Sequence, residues 1–156
     1  AVGGACVGAG LGFALACDHR VFAAGAKLGT AFTGIGLTFD SGLSYTLPRA
    51  VGDAGARELI LFGQMFTAEQ GIEWGIAGAA VEAPGVLEHA TTLARQLAEG
   101  PTVAFAESKR LLLDAAALDA ALEAEAAAQV NCGATADHVG AVTAFLAREK
   151  PVFNGA

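Results

Sequence analysis

An α/β fold is what this sequence predicts, and three observations predict it. Short apolar stretches bounded by glycine or turn residues fill the first half: Asp18-His19-Arg20-Val21-Phe22-Ala23, Lys27-Leu28-Gly29, Gln64-Met65-Phe66 and Ala79-Ala80-Val81-Glu82. Each has the length and composition of a strand. From Pro84 onward the apolar residues recur at helical spacing instead. Between these patterns the chain divides into residues 1–83, built of strand–turn–helix units, and residues 84–156, which are helical.

The first unit, Gly3 to Asp18, opens apolar, turns through glycine, and enters Phe13-Ala14-Leu15-Ala16 as a compact helix over about 9–16. Gly25 turns the chain between the next two strands. Asp40 and Ser41 are expected to cap a helix running to about Val51, with Pro48 limiting its length. Gly52-Asp53 closes that element and starts Ala54 to Phe62, which Gly63 stops. Thr67-Ala68-Glu69-Gln70 is a capping box for a helix ending near Trp74-Gly75.

Four helices follow, over about 85–98, 102–115, 118–131 and 135–148. Pro101 opens the second after Gly100, Asn131-Cys132-Gly133 ends the third and Thr135 caps the fourth. Leu118, Leu122 and Val130 are expected to form one apolar stripe on the alanine-rich third helix.

Composition narrows the function classes. With 156 residues, 54% hydrophobic and 16% charged, the chain can bury a sizeable core and is not a disordered one. Nine basic against sixteen acidic side chains argue against nucleic acid. No apolar run reaches the length of a membrane span and no signal-peptide pattern is present, so a soluble, cytoplasmic protein is expected. The three cysteines include no C-x-x-C pair, and Cys6 and Cys17 read as small core residues. Trp74 also reads as core, and His19, His89 and His138 lack ligand spacing, so no metal site is expected.

The chain begins without Met, in what reads as the end of a buried strand. It offers few strands for its many apolar helices to cover, so the expectation is a piece of a longer domain.

Two places carry candidate chemistry. Gly8, Gly10 and Gly12 remove the Cβ atoms that keep a ligand from the backbone, beside the free N–H groups of a helix N-terminus. Three readings compete: a dinucleotide site, tight helix–strand packing, and a site for negative charge that develops during a reaction. The first fails on spacing, since Phe13 stands where G-x-G-x-x-G needs glycine and no acidic residue follows about 20 positions on. The second place is Asp40, the one acidic side chain between Asp18 and Asp53. Phe32, Leu37 and Phe39 give it an apolar neighbourhood, where a carboxylate is poorly solvated and better able to take a proton. The competing role is a helix cap.

Taken together, the motifs resemble the enoyl-CoA hydratase/isomerase (crotonase) superfamily. The residues that carry the resemblance are Gly3-Gly4-Ala5-Cys6-Val7-Gly8-Ala9-Gly10, Ala14-Leu15-Ala16-Cys17-Asp18-His19-Arg20, Gly34-Ile35-Gly36-Leu37-Thr38-Phe39-Asp40-Ser41-Gly42 and Leu47-Pro48-Arg49-Ala50-Val51-Gly52. Ala56-Arg57-Glu58-Leu59, Thr67-Ala68-Glu69, Trp74-Gly75-Ile76, Ser108-Lys109-Arg110-Leu111-Leu112 and Ala144-Phe145-Leu146 continue it in the family's order. The resemblance implies the C-terminal portion of a crotonase (ClpP-like) spiral fold. Residues 1–83 would be the later part of the core, and residues 84–156 a helical region that assembles trimers or dimers of trimers.

Hydratases of that family use two glutamates, whose positions fall at Gly12 and Phe32 here. Neither residue transfers protons, so the two-glutamate route is closed. Asp40 falls where isomerases of the family carry a catalytic aspartate, and Ser41-Gly42-Leu43-Ser44-Tyr45 is most similar to the phenylacetyl-CoA branch, the ring-1,2-epoxyphenylacetyl-CoA isomerases. The resemblance therefore implies an acyl-CoA isomerase with Asp40 as acid/base and the Ala9 backbone N–H as one oxyanion donor. Gly8, Gly10, Phe32 and Leu37 would line the substrate, with Phe145 and Arg148 near the adenine end of coenzyme A, which enters as part of the substrate rather than as a resident cofactor. Family dehalogenases use a nucleophilic aspartate at the same position, but with a tryptophan where Phe32 stands. The alternatives are enoyl-CoA hydratase-like or aryl-CoA dehalogenase activity, or a non-catalytic assembly protein of the same fold. Tyr45 with Arg49 makes no reductase pair, and Lys109-Arg110 reads as a polar helix face.

Overall fold

A computed structural model describes residues 1–76 and 78–156. Apolar strand segments form two small sheets. In the first, β1 (Cys6–Val7) pairs parallel to β3 (Lys27–Gly29), which pairs antiparallel to β4 (Phe66–Thr67). In the second, β2 (Val21–Ala23) lies parallel to β5 (Ala79–Val81), and Val2 bridges to Phe22 on the other side. The second strand is shorter than expected, starting at Val21, although the Arg20 carbonyl still accepts the Ala79 N–H at 3.0 Å; the Arg20 side chain reaches back to α1 (Ala9–Ala16). Its Nη1 donates to the carbonyls of Cys17 at 2.6 Å and Ala14 at 3.3 Å, placing a buried cation on the helix's open carbonyl end.

The segment 43–62 follows its sequence closely. It is one element, α2 (Leu43–Phe62), but Gly52 is non-helical inside it (φ 77°, ψ 160°), so two helices meet at the glycine expected to part them. Gly63 ends it in the left-handed region (φ 59°). Pro48 sits inside the first half without breaking it. The start departs from expectation: Gly42 is the N-cap, and neither Asp40 nor Ser41 caps with its side chain.

The Thr67 capping box forms with both bonds and opens α3 (Ala68–Glu73). After a single 3₁₀ turn at Ala83–Gly85 come α4 (Val86–Ala98), α5 (Thr102–Leu112), α6 (Ala115–Gly133) and α7 (Ala136–Ala147). Thr135 caps α7 by accepting from the His138 N–H at 3.1 Å. Leu11, Phe22, Leu28, Leu43, Leu47 and Phe66 are the centre of one core shared by sheets and helices. Among the described residues no helix is long and apolar enough to cross a membrane.

Three burial expectations are corrected. Cys6 is buried, but Cys17 is exposed as the C-cap of α1. Trp74 is 43% exposed and covers Phe66 from outside, with ring centroids 5.2 Å apart. On α6, Leu118 is half-buried and Leu122 and Val130 are exposed; the buried residue of that helix is Glu125. Lys109 and Arg110 do make a polar face, pairing with Asp18 and Glu107. α5 buries none of its residues, and Leu111, Leu112, Phe145 and Leu146 stand exposed across the helical region.

Candidate active site

The glycine turn leads directly into the N-terminus of α1. Gly8 takes a positive φ of 58° as the N-cap of α1, a conformation natural to glycine. The Leu11 and Gly12 N–H groups return to the Gly8 carbonyl at 3.0 and 3.3 Å. The N–H groups of Ala9 and Gly10 have no acceptor among the described residues, and no acidic side chain lies in the first turn. Their partial positive charge is therefore available to a ligand. Cys6 steadies the turn by donating its Sγ–H to the Gly10 carbonyl at 3.2 Å, and burial pushes its thiol pKa up, so it stays a thiol.

Phe32 closes one side of this turn. A Cβ on Gly8 would stand 3.5 Å from the Phe32 ring, so the ring borders the space beside Gly8. The ring is carried on a tight loop whose carbonyl accepts the Leu37 N–H at 3.1 Å, which ties Leu37 to it. Thr30 and Thr33 hold that loop by donating to the Leu59 and Ile60 carbonyls of α2. Ala31, between them, has a positive φ of 57°, strain that this anchoring sustains next to the site.

The Asp40 segment closes the other side. Gly12 is buried, and a Cβ there would meet Ser41 Cβ at 2.5 Å and the Ser41 carbonyl oxygen at 2.7 Å. No side chain fits between α1 and this segment. Ala9 stands one turn before Gly12, so the contact with Ser41 lies one turn beyond the N-terminus of α1. Asp40 is half-buried; its Oδ1 accepts from Ser41 Oγ at 2.8 Å and its Oδ2 from Gln129 Nε2 at 3.0 Å. Ser41 holds a positive φ of 60°, a second strained residue at the same place.

α6 supplies what the sequence reading missed. Glu125 reaches across to accept from the Gly42 N–H at 2.8 Å and from Ser44 N–H and Oγ at 2.7 and 2.5 Å. One turn on, Gln129 reaches Asp40. The Leu118 and Leu122 methyls face Gly42 at 3.2 and 3.8 Å from where a Cβ would stand. Positions 118, 122, 125 and 129 share one helix face, so the signal was present in the spacing. Both polar residues continue the inward stripe, whereas Val130, expected there, is exposed.

The structure thus places Phe32 beside Gly8, ties the Leu37 N–H to the Phe32 carbonyl and sets Ser41, the neighbour of Asp40, against Gly12. It does not bring Phe145 and Arg148 there. Phe145 is 72% exposed near the end of α7, and Arg148, its C-cap, is joined to it by a backbone bond of 3.1 Å rather than by stacking. α7 meets the site's loop at its other end, where His138 Nδ1 lies 2.8 Å from the Ile35 carbonyl. Tyr45 and Arg49 stack on each other at 3.5 Å, with the Tyr45 hydroxyl accepting the Asp114 N–H. Among the described residues, no group of three or more His, Cys, Asp or Glu could hold a metal ion.

Comparison with known proteins gives this geometry its family. A model of the enoyl-CoA hydratase/isomerase family matches residues 1–156. A 1,2-epoxyphenylacetyl-CoA isomerase of Escherichia coli strain K12 is 38% identical over 157 aligned positions, covering 99% of this chain and 60% of the relative. A probable enoyl-CoA hydratase of Rhodobacter capsulatus is 39% identical, covering 99% and 61%. The crystal structure of an enoyl-CoA hydratase from Mycobacterium avium subsp. paratuberculosis superposes with a TM-score of 0.90 at 33% identity, covering 97% of this chain and 62% of that one. The chain therefore spans about three-fifths of the length of these relatives. It has the crotonase fold and belongs to the enoyl-CoA hydratase/isomerase family.

Proposed function

We propose that this chain carries the acid–base side of an acyl-CoA isomerase, with Asp40 as the proton-transferring group. The observation that carries the reading is the Gly12–Ser41 contact, where a Cβ would meet Ser41 at 2.5 Å. It leaves no room for a carboxylate at position 12 and brings the residue next to Asp40 against α1. Phe32, the other position where hydratases of the family carry a glutamate, is filled by a ring that cannot move protons. This favours double-bond migration or epoxide ring opening over the addition of water.

In the proposed reaction an acyl-CoA thioester lies over the glycine turn. Asp40 takes a proton from a carbon activated by the carbonyl, and the C–H electron pair moves into the thioester to form an enolate. The Ala9 N–H donates to the enolate oxygen, where negative charge has newly appeared. Protonated Asp40 returns the proton at another carbon, so the double bond shifts and no atoms are gained or lost. Gly8 and Gly10 let the thioester approach the backbone, and Phe32 and Leu37 keep water from the enolate. Phe145 and Arg148 remain the proposed contacts for the adenine end of coenzyme A. The exposed apolar residues of α5 and α7 fit a trimer or dimer of trimers in the cytoplasm.

Replacing Asp40 by Asn in the complete natural protein tests this. Isomerisation of 3-enoyl-CoA or ring-epoxide CoA esters should fall by about 10²–10⁴-fold, with binding of the CoA ester retained. Unchanged turnover rejects the assignment, and a wild-type protein without such turnover leaves the hydratase-like, dehalogenase and assembly alternatives.

A further inference from the structure

We infer that Gln129 is a positioning residue for proton transfer, fixing the plane of the Asp40 carboxylate from a helix 89 positions away in sequence. The inference rests on the reading of Asp40 as the base.

A carboxylate acts as a base through one lone pair, which must point at the reacting C–H. Two torsions of the side chain decide that direction, and a short aspartate on a loop has little packing to fix them. Here both oxygens are held. Ser41 Oγ donates to Oδ1, but Ser41 is the next residue in the chain and moves with Asp40. Gln129 Nε2, donating to Oδ2 at 3.0 Å, is the donor that refers the carboxylate to a separate element. That element is itself locked to the same segment. One turn before Gln129, Glu125 binds the Gly42 and Ser44 N–H groups, so α6 grips the backbone on one side of Ser41 and the carboxylate on the other. The strained φ of 60° at Ser41 lies between the two grips.

The other end of the carboxamide points to the same role. Gln129 Oε1 is buried and has no hydrogen-bond partner among the described residues. A buried amide oxygen without a partner is unfavourable, so packing alone gives no reason for a carboxamide here. Its freedom has a use. The last torsion of glutamine is broadly two-fold. With Oε1 tied to nothing, a half-turn presents an acceptor to Asp40 once it is protonated. One side chain then supports both the carboxylate and the acid without disturbing α6.

The test is a double-mutant cycle in the complete natural protein, following both steady-state isomerisation and exchange of the substrate's transferable proton with deuterated solvent. Gln129→Met keeps the length of the side chain and removes the donor. It should lower kcat and the exchange rate about 10–100-fold, the scale of a misplaced reacting group, with KM within about threefold. Introduced into Asp40→Asn, it should cause no further loss, because the group it positions is already gone. Full kcat in Gln129→Met, or the same fold-loss in both backgrounds, overturns the positioning role while leaving Asp40 as base. Undiminished turnover in Asp40→Asn alone removes both readings. Should Gln129→Met fail to fold, Gln129→Glu, which keeps the shape and sets a like charge beside Asp40, should show the same kcat loss and the same absence of effect in Asp40→Asn.

Discussion

The backbone N–H of Gly42 donates to Glu125 Oε2 at 2.8 Å, joining the first turn of α2 to the middle of α6. The same carboxylate takes two more bonds from Ser44. A helix N-terminus attracts negative charge and needs acceptors for its free N–H groups, and Glu125 supplies both from a distant element. Because it is buried, with 4% of its surface exposed, water cannot replace those bonds when they are lost.

Glu125→Ala should therefore destabilise the protein by about 3 kcal/mol, the scale of losing charged hydrogen bonds. Glu125→Gln, which keeps an acceptor, should cost less. Urea denaturation of the complete protein measures both, and equal stability of Glu125→Ala and wild type would falsify the capping role.

Gly12→Ala should be costly although alanine favours helices. Its methyl would have to displace Ser41 Cβ and backbone, not a flexible tip. The expected loss is about 1–3 kcal/mol from overpacking. Moving Ser41 also moves Asp40, so turnover should drop together with stability. A Gly12→Ala enzyme with full stability and activity would show that α1 and the Asp40 segment do not abut.

Acid should expose the role of Glu69. Its Oε1 accepts the Gly25 N–H at 2.8 Å, and this bond, with a second from its own backbone and one from Thr67, lowers its pKa below the ordinary carboxylate range. A carboxyl depressed in the folded state adds stability above its unfolded value of about 4.3, and that addition is lost as pH falls through the folded value. Glu69→Gln should consequently be less stable than wild type at neutral pH, and the difference should shrink as the pH falls below about 4. A constant difference across that range would assign the effect to the shape of the side chain rather than its charge.

Much of the fold was legible because its signals are local. Gly63 and Gly52 mark ends and joints by adopting backbone angles other residues resist, and the Thr67–Gln70 box closes within four residues. Thr135 acts in the same way on α7. The positions of Asp40, Phe32 and the glycine turn were likewise readable from motif order. Trp74 and Cys17 were misplaced because hydrophobicity does not say which side of an element faces the core.

By itself, then, the sequence determined the family, the order of elements and the helix start at Ala9, and it singled out Asp40 as the candidate carboxylate. Only the tertiary structure decided how that carboxylate is held. Asp40 looked like a cap for its own helix, yet the cap comes from Glu125 and the grip on Asp40 from Gln129. Both reach the segment through the docking of α6, a contact spanning more than 80 positions. Such a pairing leaves no local mark, because its geometry exists only once the two elements have packed.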